Sequence, residues 1–562
     1  MNQTSAKKYT YHPMHMHLHA ACDHGASMAM HMHNASCLGM RYIWFTDHDT
    51  RTGTKKHPVH GFSFDAPSLM KKDPGGFSGF QPINDAITCA VDPQSKQLRL
   101  ALKAPDSPDW CSSGVFFLSS GTRHTCPLAA NVTLQLDLKD FPRDADTRLI
   151  FKITLSQRPP ELKKAHLLYV LGNPDGLDAP HTQIIKLQPH CGKITLPVSE
   201  DVSEDPAIGG RDNAFDTLSI LLQARNGAEA TAALGDFRIH IEKSYEQVHL
   251  ALKEAAKKAG ANFGITPFVA FEVSGAGEHK NCYTTAVPTI DYQKHGYNVP
   301  VWEAVKHIKD HGGIFAINHP FAISVLKRKT FSPAERMQIL TKMLAELTAN
   351  RAYGAHLIEA GFPEGRNGFS LEEYLLLWDM LSSSGLFLSG YGCSDSHRDN
   401  TGWFEGNNFA AYIGVCAELR HPIAEEAFVE AMKAGRMYTG DPTKLQGAVA
   451  FQTASGHPMG SVFLSAYSDT VPLVFSAENT RPGWEFRLME NGHLLYSQQI
   501  TEEAFTWHSV LKLGKTTVNF QRAELYDETG RCILLTNPIY LINTDLFAGE
   551  LPAHRIAKED MQ

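Results

Sequence analysis

The 562-residue chain lacks most of the features that assign a protein's class at a glance. No stretch approaches the ~18 consecutive apolar residues of a membrane helix, so no span is expected. There is no lysine/arginine block, and 60 acidic against 52 basic residues leave a net charge of −8. That balance argues against a dedicated nucleic-acid binder. The ten cysteines include no CxxC pair. The opening residues MNQTSAKKYTYHPMHMH carry two lysines with no apolar run behind them, unlike a secretory leader. Mostly reduced thiols and a cytoplasmic location are therefore expected. GxSxG and GxxxxGK[ST] are both missing, and no Ser-His-Asp or Cys-His arrangement stands out. Neither a serine hydrolase nor a P-loop enzyme is indicated. With 43% hydrophobic and 20% charged residues, the composition excludes disorder, collagen and a coiled-coil rod. The length predicts three or so domains, at ~100–200 residues each.

What the chain has in excess is histidine. There are 28, ten of them in the first 60 residues, and histidine is the commonest metal-ligating side chain. Around them runs a helix–Gly–apolar strand–polar residue pattern. MHMHLHA (14–20) reads as a strand, followed by a helix ending near Gly39. Tyr42 to Phe45 is a buried strand leading into Thr46-Asp47-His48-Asp49. The pattern resumes with a helix over 244–260, on which Val248, Leu252, Ala255 and Ala259 share a face. A strand follows from Pro267 to Phe271 and ends at Glu272. A helix after Pro300 leads to strand 314–317 and Asn318-His319-Pro320. Helix 333–349 leads to strand 356–358 and Glu359. Helix 371–383 leads to strand 386–388 and GYGCSDSH. Strand 409–415 and helix 423–434 close the series. Such repetition is the signature of a parallel βα architecture, whose C-terminal strand ends carry the chemistry.

The remaining chain reads as β structure. Residues 61–240 alternate, as in VTLQLDL and TRLIFKITL, and predict an inserted β-sandwich. It leaves directly after a strand end and is expected to overhang the site mouth. Residues 440–545 alternate again, with hairpin turns at ENG and ETG, and predict a C-terminal β-domain. The expected division is 1–60 and 241–438 for the catalytic part, 61–240 for the insert, 439–545 for the C-terminal domain and 546–562 for a tail.

The candidate metal ligands, in chain order, are His17, His19, His24, His48, Glu272, His279, His319, Asp395 and His397. His-x-His on a strand points both rings to one face, because the side-chain period is two. Asp395-Ser-His397 repeats that geometry. Any one of these histidines alone is more often structural. The joint placement of HxH, TDHD, FE, NHP and DSH, each after an apolar strand, carries the argument. Imidazole with carboxylate suits zinc, manganese or iron. Seven histidines and two acids exceed one ion, so two or three divalent ions sharing a bridging carboxylate are expected. Asp47 and Asp49 are placed to fix His48, since a ligating imidazole needs an acceptor for its other nitrogen. Glu359 is placed to orient a ligand or a substrate group. Arg398 offers a fork of donors to a phosphate, and Trp403 and Phe404 an apolar contact. His12 and His15 fall outside the ligand set. His31 and His33, two apart on a helix, face different ways and are not joint ligands.

Taken in order, HLHAACDHG, GMRYIWFTDHD, FVAFEVSGAGEHKN, GGIFAINHP and GCSDSHR resemble the successive motifs of the PHP (polymerase and histidinol phosphatase) superfamily, over about residues 1–60 and 240–435. The long insert and the ending TNPIYL resemble a branch that includes carbamate-ester hydrolases of the carbaryl-hydrolysing type. The resemblance implies an α/β fold, a distorted (β/α)7 barrel, here with an inserted β-sandwich and a C-terminal β-domain. It implies a two- or three-metal site at the barrel's C-terminal face. It places His17, His19, Glu272 and Asp395 on one ion. Glu272 bridges to a second ion held by His279 and His319, and His24, His48 and His397 hold a third. The chain departs from the pattern where many relatives have Ser-Asp-Gly and this one has Asp23-His24-Gly25, which leaves Asp23 as an alternative ligand. His15-Met16-His17 is also an HxH pair, and the spacing to Gly25 favours His17 and His19.

The expected activity is that of a metal-dependent phosphoesterase, cleaving a small phosphate mono- or diester with a metal-bridging hydroxide. Asp395, His397 and Arg398 are the residues expected nearest the reacting bond. A carboxylic or carbamate ester hydrolase would use the same ligands. A non-catalytic ligand-binding protein with a structural metal site is the remaining alternative. The partner expected is a small ester, with no nucleic acid and no membrane, and a homo-oligomer is left open.

Overall fold

The short apolar segments that precede the histidine and acid motifs form strands, as their aromatic and β-branched content favours. The computed structural model describes residues 8–20, 27–48, 59–62, 64, 77–92, 94–119, 126–158, 163–203, 205, 208–241, 245–273, 279–286, 301–321, 331–363, 365–366, 368–396 and 409–557. The strands that frame the motifs are β1 (Tyr9–Leu18), β2 (Tyr42–Phe45), β3 (Thr266–Val269), β4 (Phe271–Val273), β5 (Lys280–Tyr283), β6 (Ile314–Ile317), β7 (Leu357–Gly361), β8 (Ser389–Gly392), β9 (Ala410–Cys416) and β10 (Met437–Gly440). Between them lie helices α1 (Met28–Cys37), α2 (Tyr245–Ala261), α3 (Val301–Asp310), α4 (Pro333–Ala349), α5 (Leu371–Ser383) and α6 (Glu425–Lys433). Local chemistry sets the helix ends. The Ser27 side chain accepts from the Met30 amide at the start of α1, and Ser332 and Glu335 form a capping box at the start of α4. After α1, Gly39 takes the left-handed conformation (φ 71°) that ends a helix with least strain. On α2 the expected Val248, Leu252 and Ala259 are buried, while Ala256 takes the inward place expected of Ala255, which is only partly buried.

The pairing of these strands corrects the expectation of a uniformly parallel barrel. β3, β2 and β1 pair in parallel, but β1 pairs antiparallel with β9, and β9 with β10. A separate sheet runs β4-β5-β6-β7-β8. Its first two pairings are antiparallel and its last two parallel. A parallel return needs a crossover of about a dozen residues or more. Only residues 274–279 separate β4 from β5, which leaves the antiparallel hairpin as the available pairing. Isolated bridges between His48 and Glu272 and between Leu18 and Ser396 link the two sheets. The described chain is a mixed α/β structure dominated by sheet, its two site-bearing sheets joined among the described residues by these isolated bridges. The strand expected at 386–388 begins later, at Ser389. The Trp378 indole N–H donates to the Leu388 carbonyl and takes it out of the ladder. The same ring lies against Gly390, where an added Cβ would come within 2.5 Å of it.

The inserted segment forms two sheets of mainly antiparallel strands. One contains Cys111–Ser119, Thr147–Arg158, Lys163–Gly172 and Ala214–Ala224. The other contains Gln97–Lys103, Val132–Asp140 and Glu229–Ile241. Leu134, Leu136 and Leu138 alternate inward and share a core with Leu149, Phe151, Ile153 and Leu155 of the facing sheet. Among the described residues the insert's main contacts with the βα part run to α2, through Leu128–Ala130, and to α1. Three C-terminal strands, Val449–Thr453, Thr470–Glu478 and Ala504–Lys512, form an antiparallel sheet of their own, and the others join the sheet of β1. Cys532–Thr536 pairs with β10, and Val518–Tyr526, Glu485–Glu490 and His493–Gln499 extend the sheet of β1. The expected ENG turn is a tight hairpin with Asn491 and Gly492 both at positive φ (51° and 81°). No described helix is long and apolar enough to cross a membrane, and no disulfide joins the described cysteines.

A buried ion triad ties α5 to the C-terminal strands. Arg522 is 1% exposed and donates to Asp379 through Nε (3.0 Å) and Nη2 (2.8 Å), and to Glu524 through Nη1. Removing the guanidinium would strand two buried carboxylates. Arg522→Met is expected to lower stability by about 3–5 kcal/mol, read as a fall in the urea midpoint; an unchanged midpoint would show that the triad contributes nothing.

Candidate metal centre

Seven of the nine sequence-predicted ligands fall within the described residues, and all seven converge. His17 and His19, two apart near the end of β1, are fully buried and point the same way. Their Nε2 atoms lie 3.0 Å apart. Asp395 reaches both, its Oδ1 standing 3.2 Å from His17 Nε2 and 3.0 Å from His19 Nε2. Glu272, in β4, has no exposure and lies at the centre. Its Oε1 is 3.5 Å from His17 Nε2, 3.1 Å from His279 Nδ1 and 3.5 Å from His319 Nε2. Its Oε2 is 2.5 Å from His48 Nδ1 and 3.8 Å from His19 Nε2. The rings of His48, His279 and His319 follow one another at centroid spacings of 5.2 Å. His24, His397 and Arg398 lie outside the described residues, as do Asp49, Trp403 and Phe404.

The backbone is arranged to deliver these side chains. The Thr46 amide donates to the Leu18 carbonyl, the His19 amide to the Ser396 carbonyl, and the Glu272 amide to the Asp47 carbonyl. These bonds stitch the ends of β1, β2 and β4 and the turn after β8 into one rim. His319 and Asp395 sit just past their strands at positive φ, 26° and 52°. Such conformations cost a non-glycine residue about 1–3 kcal/mol and persist where the surroundings over-determine them. Asp47 accepts the Ala20 amide at 2.6 Å, which fixes the turn leaving β1. His31 bonds the His19 carbonyl through Nε2 at 3.0 Å, and His33 faces Cys37 and Phe263. Neither joins the ligand set. His15, on the same strand, is buried, and burial pushes its pKa down to about 3, which keeps it neutral.

A second layer holds the inner one. Glu359, at the end of β7, meets His17 Nδ1 at 2.5 Å, accepts the His319 amide at 2.6 Å and the Tyr391 hydroxyl at 3.0 Å. The Asn318 amide group donates to Glu272 Oε1 at 2.7 Å, and its own oxygen accepts the Asn281 amide. Arg366 donates to Asp395 Oδ2 through Nη2. Its loop is closed by reciprocal backbone bonds with Phe369, and its guanidinium lies over the Phe362 ring. Arg366, Tyr391 and Asn281 were not singled out from the sequence. Only the position of Arg366 seven residues past Glu359, in a Gly-flanked loop, hinted at a site role.

The electrostatics follow from this crowding. Burial alone would push the Glu272 carboxyl up, but the charges of His279 and His48 and hydrogen bonds from His279 and His319 hold it well below the carboxylate range. For Glu359, burial likewise opposes ionisation, and the His17 charge and hydrogen bond outweigh it. His319 is shifted down, by burial first and then by the Arg366 charge. Burial resists the charge on Arg366, yet Asp395 and Glu359 drive its pKa upward, so it stays cationic.

The donor set fits divalent ions. With Glu359 meeting Nδ1, the His17 ring turns its Nε2 toward His19 Nε2, Glu272 and Asp395. Imidazole nitrogens and carboxylate oxygens converging at these distances are a donor set of the kind that holds a divalent cation. Two groups have ligand atoms all within 4.8 Å of one another and share Glu272: His17, His19, Glu272 and His48, Glu272, His279. A carboxylate common to both is what a bridging ligand requires. Among the described residues His48 groups with His279 on Glu272; His24 and His397, its expected partners on a third ion, lie outside the described residues. A further group, His17, Glu359 and Cys393, meets the same distance criterion. Glu359 is already engaged by three partners, and burial pushes the Cys393 thiol up and keeps it protonated. That group is the outer support of His17.

No family model matches the sequence, and no curated protein matches it. Among solved structures, one similar chain is a two-domain protein from Bacteroides vulgatus containing a predicted PHP-like metal-dependent phosphoesterase. It is 13% identical, with 53% of this chain and 80% of that chain covered and a TM-score of 0.25. Another is a family 11 carbohydrate-binding module from Clostridium thermocellum in complex with a β-1,3-1,4-mixed-linked tetrasaccharide. It is 9% identical, with 34% of this chain and 91% of that chain covered and a TM-score of 0.17. At scores this low neither likeness decides the fold or the chemistry. The side-chain geometry has to do so.

Glu359→Gln removes the charged acceptor behind His17 while keeping its shape. Metal affinity is expected to fall roughly 10–100-fold, measured by competition with a chromogenic chelator. Wild-type affinity in this variant would show that Glu359 does not support a ligand.

Proposed function

We propose that the chain is a metal-dependent hydrolase of ester bonds, and specifically a phosphoesterase acting on a small phosphate mono- or diester. His17, His19, His48, Glu272, His279, His319 and Asp395 would hold two divalent ions, zinc, manganese or iron. His24 and His397 would complete a third position, and Arg398 would lie beside it. In this reading the two linked sheets close as the distorted (β/α)7 barrel of the PHP superfamily, and the inserted β-domain marks the branch that includes carbaryl-type hydrolases. Ions in such a centre supply an acidified water and positive charge for the oxygens of the attacked group.

The residues of the chain do the rest. Glu359 and Asn318 fix the imidazole and carboxylate orientations, so the ligands are preorganised rather than gathered by the metal. Asp395 presents Oδ1 to His17 and His19 and Oδ2 to Arg366.

One observation favours phosphate over a neutral ester. The Arg366 side chain is 20% exposed on the rim of the centre, and among the described residues its Nη1 has no hydrogen-bond partner. A fixed guanidinium with a spare donor suits a phosphate oxygen. A neutral carbamate or carboxylic ester has no charge for it to meet.

Protein purified without chelator is expected to carry two to three equivalents of divalent metal. Asp395→Ala and His48→Ala should each abolish hydrolysis of aryl phosphates with the fold retained; full turnover at saturating metal in either variant would sink the assignment. Arg366→Gln separates the substrate classes. It should lower kcat/KM for an aryl phosphate by roughly 10²-fold or more and leave a neutral aryl carbamate nearly unaffected, with metal content checked in parallel. Equal losses on both would leave the carboxylic or carbamate ester reading in place.

A further inference from the structure

At the other end of β1 the chain builds a second concavity. The cleft has a volume of about 1160 Å³ and lies between the start of β1, the turn after α1 and the loop following β10. Tyr9 and Tyr11 of β1, Tyr412 of β9 and Tyr438 of β10 line it, with Lys8 at its lip and Gln446 opposite. Six residues of extended strand separate Tyr11 from His17, roughly 20 Å at ~3.3 Å per residue. The cleft is therefore a place apart from the metal centre.

Its wall is a tyrosine stack. Tyr412 and Tyr438 lie face to face, 4.5 Å between centroids and 9° between planes, and Tyr11 packs on Tyr438 at 5.3 Å. Tyr438 is 2% exposed. Among the described residues neither its hydroxyl nor that of Tyr11 has a hydrogen-bond partner, while the Tyr412 hydroxyl reaches the Leu445 carbonyl at 3.4 Å. These two hydroxyls are donors that a ligand oxygen in the cleft would engage. Burial pushes all three phenols up, so they remain protonated donors. Among the described residues, no aspartate or glutamate lines the cleft. The Arg436 guanidinium sits over the Tyr9 ring, and the neighbouring Asp441 is turned to Thr443 and Arg531.

We propose that this cleft is a binding site for a small aromatic carboxylate, whose ring lies along the tyrosine stack and whose carboxylate accepts from the Tyr11 and Tyr438 hydroxyls. An aromatic body matches the stacked wall. A negative group matches orphan donors, nearby cations and the absence of acids. A cation would find no carboxylate counter-charge among the described lining residues. The proposal is independent of the hydrolytic reading.

The test is calorimetric titration of the full chain with 2-naphthoate, using 2-naphthylmethylammonium as the cationic control. Saturable one-to-one binding of naphthoate is expected, at least about ten-fold tighter than the cation. Tyr438→Phe, which keeps the ring and removes the donor, should weaken it about ten-fold, as loss of one charge-assisted hydrogen bond predicts. Gln446→Glu, at an exposed lining position, should weaken it through like-charge repulsion. His48→Ala, at the metal centre, should leave the affinity unchanged. Absence of saturable binding, equal affinity for the cation, affinity unaltered by both cleft substitutions, or loss of binding in His48→Ala would each overturn the proposal.

Discussion

Glu272 has no solvent exposure, and imidazoles approach both of its oxygens. An isolated carboxylate in that position would be neutralised by protonation. Here the surrounding histidines reverse the effect of burial, and the carboxyl is held ionised. The constraint is mutual. Rings crowded inward tolerate one another only beside a negative charge or around a cation, and a buried carboxylate tolerates its burial only among such rings. Much of the architecture near the centre can be understood as the means of holding seven side chains in that arrangement.

The means are backbone bonds and a polar second layer. β1, β2 and β4 end together because their terminal amides and carbonyls bond across the strand ends, at Leu18, Asp47 and Ser396. Glu359 is the most heavily used support, since it serves His17, the His319 amide and Tyr391 at once. Tyr391 in turn meets Tyr283, whose hydroxyl donates to the Met16 carbonyl between the two β1 histidines and His15. Strand, ligand and second layer therefore close a loop of contacts, and movement at one ligand is resisted through the others.

The same strand serves two surfaces. The buried end of β1 carries His17 and His19, and its start carries Tyr9 and Tyr11 on the cleft. The C-terminal strands extend the sheet to which β1 belongs and supply, through the loop after β10, the far wall of that cleft. Part of the C-terminal segment is thus continuous with the sheet of β1, and its Arg522 triad with Asp379 fastens it to α5.

The sequence by itself determined the local parts. His17 and His19 share a face because a strand's side-chain period is two, and that holds wherever the strand packs. Helix ends at Ser332 and Gly39, the alternating core of Val132–Asp140 and the Asn491-Gly492 turn were legible for the same reason, since each depends on neighbours in the chain. Strand direction was not legible, because β5 and β9 choose their partners by connection length and by contacts hundreds of residues away. The site's outer partners were hidden likewise. Nothing near His17 in the chain announces Glu359, 342 residues on, and nothing near Asp395 announces Arg366. Only the tertiary structure brought them together, because a hydrogen bond depends on distance in space, and a residue's own segment does not carry that distance.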